Sequence, residues 1–300
     1  MNLVLGPLGI ANLLGVRDLT PTVRQLVNKF DFTYEPLTTA EQSEVLRQEA
    51  TLITTPHADA KRWDAYWRDV KAQWEYSRDS KQLVPEFLRA PPPHMAEVRL
   101  FGEYIRTRSP EFVWSVQRII LAHLAERYLI DVPKIFEFGC GSGFNLVELR
   151  NLPLRQWHLT GLDRSEAAVE IVEELGFNAL HFDLLQDPQP CAPELIAHAG
   201  VLTMGALEQV GDRFEPFLRW LLKAHPAVCV HVEPLVELYN KISFDDVAAR
   251  YHHARGYLKG FLPALRELES QGKLSIIEVH RTNVGSRHND GFSWVVWGPA

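Results

Sequence analysis

The stretch Lys134-Ile135-Phe136-Glu137-Phe138-Gly139-Cys140-Gly141-Ser142-Gly143-Phe144-Asn145 decides how the chain folds. Lys134–Phe138 is a short apolar run, read as a buried strand. Glycines at alternate positions then let the backbone turn sharply and let a ligand lie directly against it. The helix expected over 144–150 would present free N–H groups and a positive dipole end to that ligand. A dinucleotide fingerprint is G-x-G-x-x-G. Counted from Gly139 its third glycine falls on Phe144, and counted from Gly141 it falls on Leu146. The pattern is instead acidic-x-Gly-x-Gly-x-Gly.

Outward from this loop, the C-terminal part alternates strand and helix. Apolar strand-like runs are expected at 158–162, 179–184, 201–204, 228–232, 275–279 and 292–297. Helices are expected at 165–175, 192–198 and 214–224, with a longer one within 244–271. Strand–helix alternation implies an α/β fold, a doubly wound, mostly parallel seven-stranded sheet with helices on both faces. A polar turn, Arg281–Gly291, joins the last two runs, which makes them an antiparallel hairpin. Before Pro133 the chain reads as helix without strand alternation. Thr39–Gln42 opens one helix, and 60–82 carries Trp63, Trp67 and Trp74 as a single stripe, read as packing. The Pro91–Pro92–Pro93 run is a rigid connector. Ser109–Pro110 opens a long helix through Tyr128. The division falls near residue 131: a helical region, 1–131, then a ligand-binding domain, 132–300.

Composition bounds the role. The 300 residues carry 31 Lys+Arg against 38 Asp+Glu, a formal charge of −7. A nucleic-acid partner is therefore not expected, since phosphate binding rests on a basic surplus. Three cysteines (Cys140, Cys191, Cys229) form no disulfide framework and fit a reducing, cytoplasmic setting. Residues 1–14 lack a basic leader, so no secretory signal is expected. No apolar run is long enough to span a membrane.

The loop resembles the first motif of class I S-adenosylmethionine-dependent methyltransferases, and two further elements follow in order. Asp163 ends the next strand, 20 residues after Gly143, where a carboxylate can accept both ribose hydroxyls. Asp183 and Leu184 close the third strand. The resemblance covers about Lys134 to the C-terminus and implies S-adenosylmethionine as cofactor. Its carried-over site is Glu137 near the methionine amino end, the loop glycines Gly139, Gly141 and Gly143 with Asn145, and Asp163 with Arg164 at the ribose. Asp183 would receive the adenine amino group, Leu184 would pack on its ring, and Thr203 and Met204 would lie beside the sulfonium. The N-terminal helices would form a lid or a homodimer contact.

The fourth strand runs into Thr203-Met204-Gly205-Ala206-Leu207-Glu208-Gln209. This is not the Asn/Asp-Pro-Pro-aromatic turn of amide and adenine methylation. Gln209 stands where similar small-molecule enzymes often place a histidine, and it cannot act as a base. The remaining strand ends offer His231, His252 and His253 as bases. Gln209, Glu233, Arg255, Tyr257, Arg281, Arg287 and His288 are candidate substrate contacts, with the arginines holding an anionic or polyhydroxyl part. His231, Glu233, His252 and His288 lack tight metal-ligand spacing, so no metal is expected. The expectation is O-methylation of a polar small molecule. Its alternatives are protein or RNA methylation, a nicotinamide-dependent oxidoreductase, and a non-catalytic cofactor-binding subunit.

Overall fold

The structure is a computed structural model describing residues 2–52, 60–85, 88, 97–187, 189 and 191–300. Pro91–Pro93, read above as a connector, lie outside the described residues. The N-terminal region holds helices α1 (Pro7–Leu13), α2 (Pro21–Lys29), α3 (Thr39–Thr51), α4 (Ala60–Ser77) and α5 (Phe112–Leu124). It also holds strands β1 (Leu3–Val4), β2 (Thr33–Pro36), β3 (Glu97–Leu100) and β4 (Glu103–Thr107). The second region contains β5 (Lys134–Phe138), α6 (Phe144–Asn151), β6 (His158–Asp163), α7 (Glu166–Glu174), β7 (Asn178–His181), β8 (Gly200–Met204) and α8 (Glu215–Ala224). It continues with β9 (Val228–Glu233), α9 (Ser243–Arg255), α10 (Phe261–Ser270), β10 (Leu274–His280), β11 (Val284–Gly285) and β12 (Ser293–Pro299).

Seven strands form one sheet in the order β10-β12-β9-β8-β5-β6-β7. The pairs β5/β6, β5/β8, β6/β7 and β8/β9 are parallel. β12 runs antiparallel to both neighbours, β10 and β9, so the expected terminal hairpin is present. From β5 the chain moves outward through β6 and β7, then returns to the other side of β5 for β8 and β9. That reversal opens a crevice at the carboxyl end of β5, which is where the glycine loop lies. No helix among the described residues is long and apolar enough to cross a membrane.

Three local expectations are corrected. The helix at 192–198 is only a 3-10 turn over Pro193–Ile196; His198 adopts φ +58, which ends it. The long helix divides into α9 and α10, because Gly256 (φ +69) and Gly260 (φ +83) take left-handed conformations between them. The N-terminal region, read as mostly helix, also contributes to a five-stranded antiparallel sheet in the order β1-β2-β4-β3-β11. Its strands are two to five residues long, too short for alternation to register.

The fifth strand of that sheet comes from the turn between β10 and β12. Val284 pairs with Leu100, and Gly285 with Arg99. A buried ion cluster fixes the junction. Arg99, fully buried, donates to Asp290 at 2.7 Å, to Asp245 at 3.1 Å and to the Phe244 carbonyl at 3.0 Å. Arg281 donates to the same two carboxylates. Two guanidiniums against two carboxylates leave the buried Arg99, Asp245 and Asp290 without an unpaired charge. On the opposite side α4 packs its Trp67, Val70 and Trp74 on Ala167, Ala168 and Ile171 of α7.

Candidate active site

A cavity of about 920 Å³ opens over the carboxyl ends of β5, β6 and β8. One half is built by the loop after β5. Gly139, Gly141 and Gly143 have φ of +69, +52 and +72, a region that favours glycine. The Gly141 N–H donates to Asp163 Oδ2 at 2.9 Å, and the Ser165 N–H donates to Oδ1 at 2.9 Å. These bonds hold the carboxylate at the end of β6 facing the cavity, with lone pairs remaining on both oxygens. Burial raises the Asp163 carboxyl above its usual range. Beneath the loop, Glu137 is buried and its Oε1 accepts from Asn145 Nδ2 at 2.7 Å. Gln117 of α5 donates to Asn145 Oδ1 at 2.7 Å, which fixes the amide's orientation. Glu137 Oε2 is buried with no partner among the described residues. Burial, then the bonding of Asn145 and the nearby Asp163 charge, leave Glu137 raised to about 8. Phe182, Asp183, Leu184 and Met204 continue this wall.

Trp63 and Trp67 of α4 roof the same half. A Cβ added to Gly141 would stand 2.4 Å from the Trp67 ring. Trp63 donates through Nε1 to Gln209 Oε1 at 3.3 Å. The tryptophan stripe, read as packing alone, packs on α7 and also lines the cavity.

The other half lies between the N-terminal region and the turn before β12. Glu49, near the end of α3, accepts from Arg287 Nε at 2.9 Å and lies 2.8 Å from His288 Nδ1. Arg287 also pairs with Glu97 at 2.9 Å and donates to Gln48. The His288 ring stacks on Tyr251 at 4.7 Å between centroids. Tyr257 and Glu208 complete this wall. Glu208 Oε1 accepts from Gln209 Nε2 at 2.7 Å. Burial, followed by the Glu233 charge, pushes Glu208 up to about 8.

Of the residues expected in the site, Gly139, Gly141, Asn145, Asp163, Arg164, Asp183, Leu184, Met204, Gln209, Tyr257, Arg287 and His288 line the cavity. Gly143 and the buried Glu137 do not line it. Thr203 is buried against His231, 3.0 Å from its Nδ1. The three expected bases are corrected. His231 is fully buried between Phe261 and Trp297, where desolvation holds it down to about 3. His252 is fully buried with Nε2 2.6 Å from the Leu258 carbonyl, and burial lowers it to about 4. His253 is exposed and does not line the cavity.

Three expected substrate contacts have structural duties instead. Glu233 is fully buried and accepts the N–H groups of Ala206, Leu207 and Glu208 at 3.2, 3.1 and 3.0 Å, closing the turn after β8. Arg281 belongs to the ion cluster. Arg255 lies over the rings of Tyr251 and Tyr257. The reading missed Glu49, Glu97, Trp63 and Trp67, which come from the N-terminal region and carry no motif. Glu208 and Tyr251 stood in quoted stretches, but sequence could not show which side chains turn inward.

No protein-family model matches the chain, and no curated protein matches it in sequence. Solved structures do resemble it. The pyocyanin biosynthetic protein PhzM is 12% identical over 63% of this chain and 57% of its own, with a TM-score of 0.45. OxaC, in complex with SAH and oxaline, is 12% identical over 60% and 47%, at 0.43. A SAM-dependent methyltransferase from Aquifex aeolicus is 16% identical over 61% and 92%, at 0.40. The chain thus spans about half the length of the first two. At that distance the fold assignment rests on strand order: parallel strands reversing at β5, with antiparallel β12 set between β9 and β10. The fold is a doubly wound, Rossmann-like sheet closed by an antiparallel hairpin.

Proposed function

We propose that the protein transfers a methyl group from S-adenosylmethionine to a hydroxyl of a small molecule, with His288 as the base. The observation that carries this reading is a single cavity joining the glycine loop and Asp163 to the His288–Glu49 pair. The residues fit the cofactor. Glu137 Oε2 is an orphaned buried oxygen, Asp163 retains lone pairs at the wall, and Asp183 with Leu184 follows β7. Glu137 and Asn145 would hold its amino-acid end, Asp163 its ribose, and Asp183 and Leu184 its adenine. When bound, the cofactor supplies an electrophilic methyl group on a sulfonium.

The chain's own residues supply orientation and a proton acceptor. With Nδ1–H donating to Glu49, His288 keeps Nε2 as an acceptor, and Tyr251 fixes the ring plane by stacking. A carboxylate on one ring nitrogen selects the tautomer and stabilises the imidazolium that forms. Trp63 and Trp67 exclude water from the loop side. In this reading residues 1–131 cap the site and 132–300 bind the cofactor. The three unpaired cysteines suit work in a reducing cytoplasm.

The test incubates purified protein with methyl-labelled S-adenosylmethionine and a deproteinised metabolite extract, and locates the label by mass spectrometry. Label in an O-methyl product is expected. H288A should then lower turnover by roughly 10²–10⁴ while leaving S-adenosylhomocysteine affinity unchanged. Label on nitrogen alone, or full turnover in H288A, would contradict the reading.

A further inference from the structure

Two carboxyls meet at the turn after β8. Glu233 is fully buried and accepts three backbone N–H groups, those of Ala206, Leu207 and Glu208, at 3.2, 3.1 and 3.0 Å. Glu208 is half-buried in the cavity wall, and its Oε1 accepts from the neutral Gln209 amide at 2.7 Å. Neither carboxyl makes an ion pair among the described residues. Neighbouring carboxyls resist double ionisation, and the charge settles on the one that receives more donors. Three N–H groups place it on Glu233, so the proton stays on Glu208. Burial and the Glu233 charge accordingly raise Glu208 to about 8, above Glu233 at about 7.

The groups around Glu208 agree with a protonated carboxyl. Tyr251 and Tyr257 line the same cavity, and burial raises their hydroxyls too. Arg255 lies over both of their rings, so these faces already hold a cation. His288, bonded to Glu49, stacks on Tyr251. Arg213, after the turn, lines the cavity but makes no ion pair with Glu208 among the described residues. Gln209 is held in turn by Trp63 Nε1 at 3.3 Å, which anchors the pair to α4. With Oε1 occupied by Gln209, the proton belongs on Oε2, and an O–H donor recognises a lone pair.

We propose that the methyl acceptor carries a neutral carbonyl oxygen besides its hydroxyl, and that Glu208 donates to this oxygen through the O–H on Oε2 while the hydroxyl lies towards His288. This deepens the methyl-transfer reading and rests on it. A carbonyl oxygen only accepts, so it matches a carboxyl that donates and would be repelled by one that has ionised. An anionic group would instead take Arg213 as its partner.

Three phenols of similar shape separate these outcomes: 3-hydroxyacetophenone, 3-isopropylphenol and 3-hydroxybenzoate. Their binding is measured by calorimetry on the full chain saturated with S-adenosylhomocysteine. At about pH 7 the ketone should bind at least about fivefold tighter than 3-isopropylphenol, as one hydrogen bond in a desolvated wall requires. The benzoate should bind more weakly than the ketone. The ketone's advantage should shrink between about pH 7 and about pH 9 as Glu208 ionises. E208Q offers the same donor and acceptor pattern as the protonated carboxyl, so it should keep the advantage and lose its pH dependence. E208L should lose the advantage, and S-adenosylhomocysteine affinity should be unchanged in both variants. An advantage below about fivefold, a benzoate that binds tighter than the ketone, an advantage independent of pH in the unmodified chain, its loss in E208Q, or its survival in E208L would each overturn the proposal. Failure of S-adenosylhomocysteine to bind at all would instead strike the methyl-transfer reading.

Discussion

Gly141→Ala probes the contact between the cofactor loop and its roof. Gly141 has φ +52, and a left-handed conformation costs a non-glycine residue about 1–2 kcal/mol. The new methyl would also lie 2.4 and 2.6 Å from two ring carbons of Trp67. Trp67 is buried against α7, so it yields only by repacking, at about 1–3 kcal/mol. Together these predict a loss of about 2–5 kcal/mol for G141A. Trp67→Leu removes the clash and leaves the backbone cost, so in that background the alanine should cost only about 1–2 kcal/mol. Urea unfolding of the four proteins gives the coupling directly. S-adenosylhomocysteine binding should weaken in G141A, because the Gly141 N–H that holds Asp163 moves with the loop. A cost below about 1 kcal/mol, or an equal cost with and without Trp67, would refute the reasoning.

Two further outcomes are expected. Arg99→Met should destabilise the protein by about 3–5 kcal/mol, because Asp245 and Asp290 would keep Arg281 alone; urea unfolding measures it, and a loss under 1 kcal/mol would contradict a buried cluster. Stability should fall as pH rises from about 6.5 to about 8: burial raises Glu137 and Glu208 to about 8 and Glu233 to about 7, so the folded chain holds protons that the unfolded chain has released. The buried His123, His231 and His252 act oppositely, but are lowered to about 4, 3 and 4; their contribution fades above about pH 6.5 and is nearly complete by about pH 7.5. Thermal melts across that window check the sign, and E137Q should flatten the slope.

The sheet was legible because its strands are apolar runs separated by helices, and because three glycines at alternate positions have few uses other than a turn against a ligand. Asp163 was legible for the same reason, being fixed by its position at a strand end. The base was not. A strand end places a residue at the rim of the sheet without giving its facing, and His231 points with Glu233 into the layer packed by Phe261 and Trp297. His288 was identified as a contact, but its partner Glu49 is 239 residues away on a helix with no motif. The small sheet that carries Glu97 to the cavity depends on a two-residue strand, 284–285, paired with Leu100 and Arg99. Such pairing is a tertiary outcome with no local signal. Arg281, expected to hold an anionic or polyhydroxyl part of the substrate, lies instead in an ion cluster whose acids, Asp245 and Asp290, lie far apart in sequence.

The central claim is that the loop after β5 and Asp163 hold S-adenosylmethionine. Calorimetry of the full chain with S-adenosylhomocysteine, and separately with NADH, tests it most directly. One S-adenosylhomocysteine per chain, lost in Asp163→Ala, with no heat from NADH, is the predicted result. Tight NADH binding without S-adenosylhomocysteine binding would contradict it.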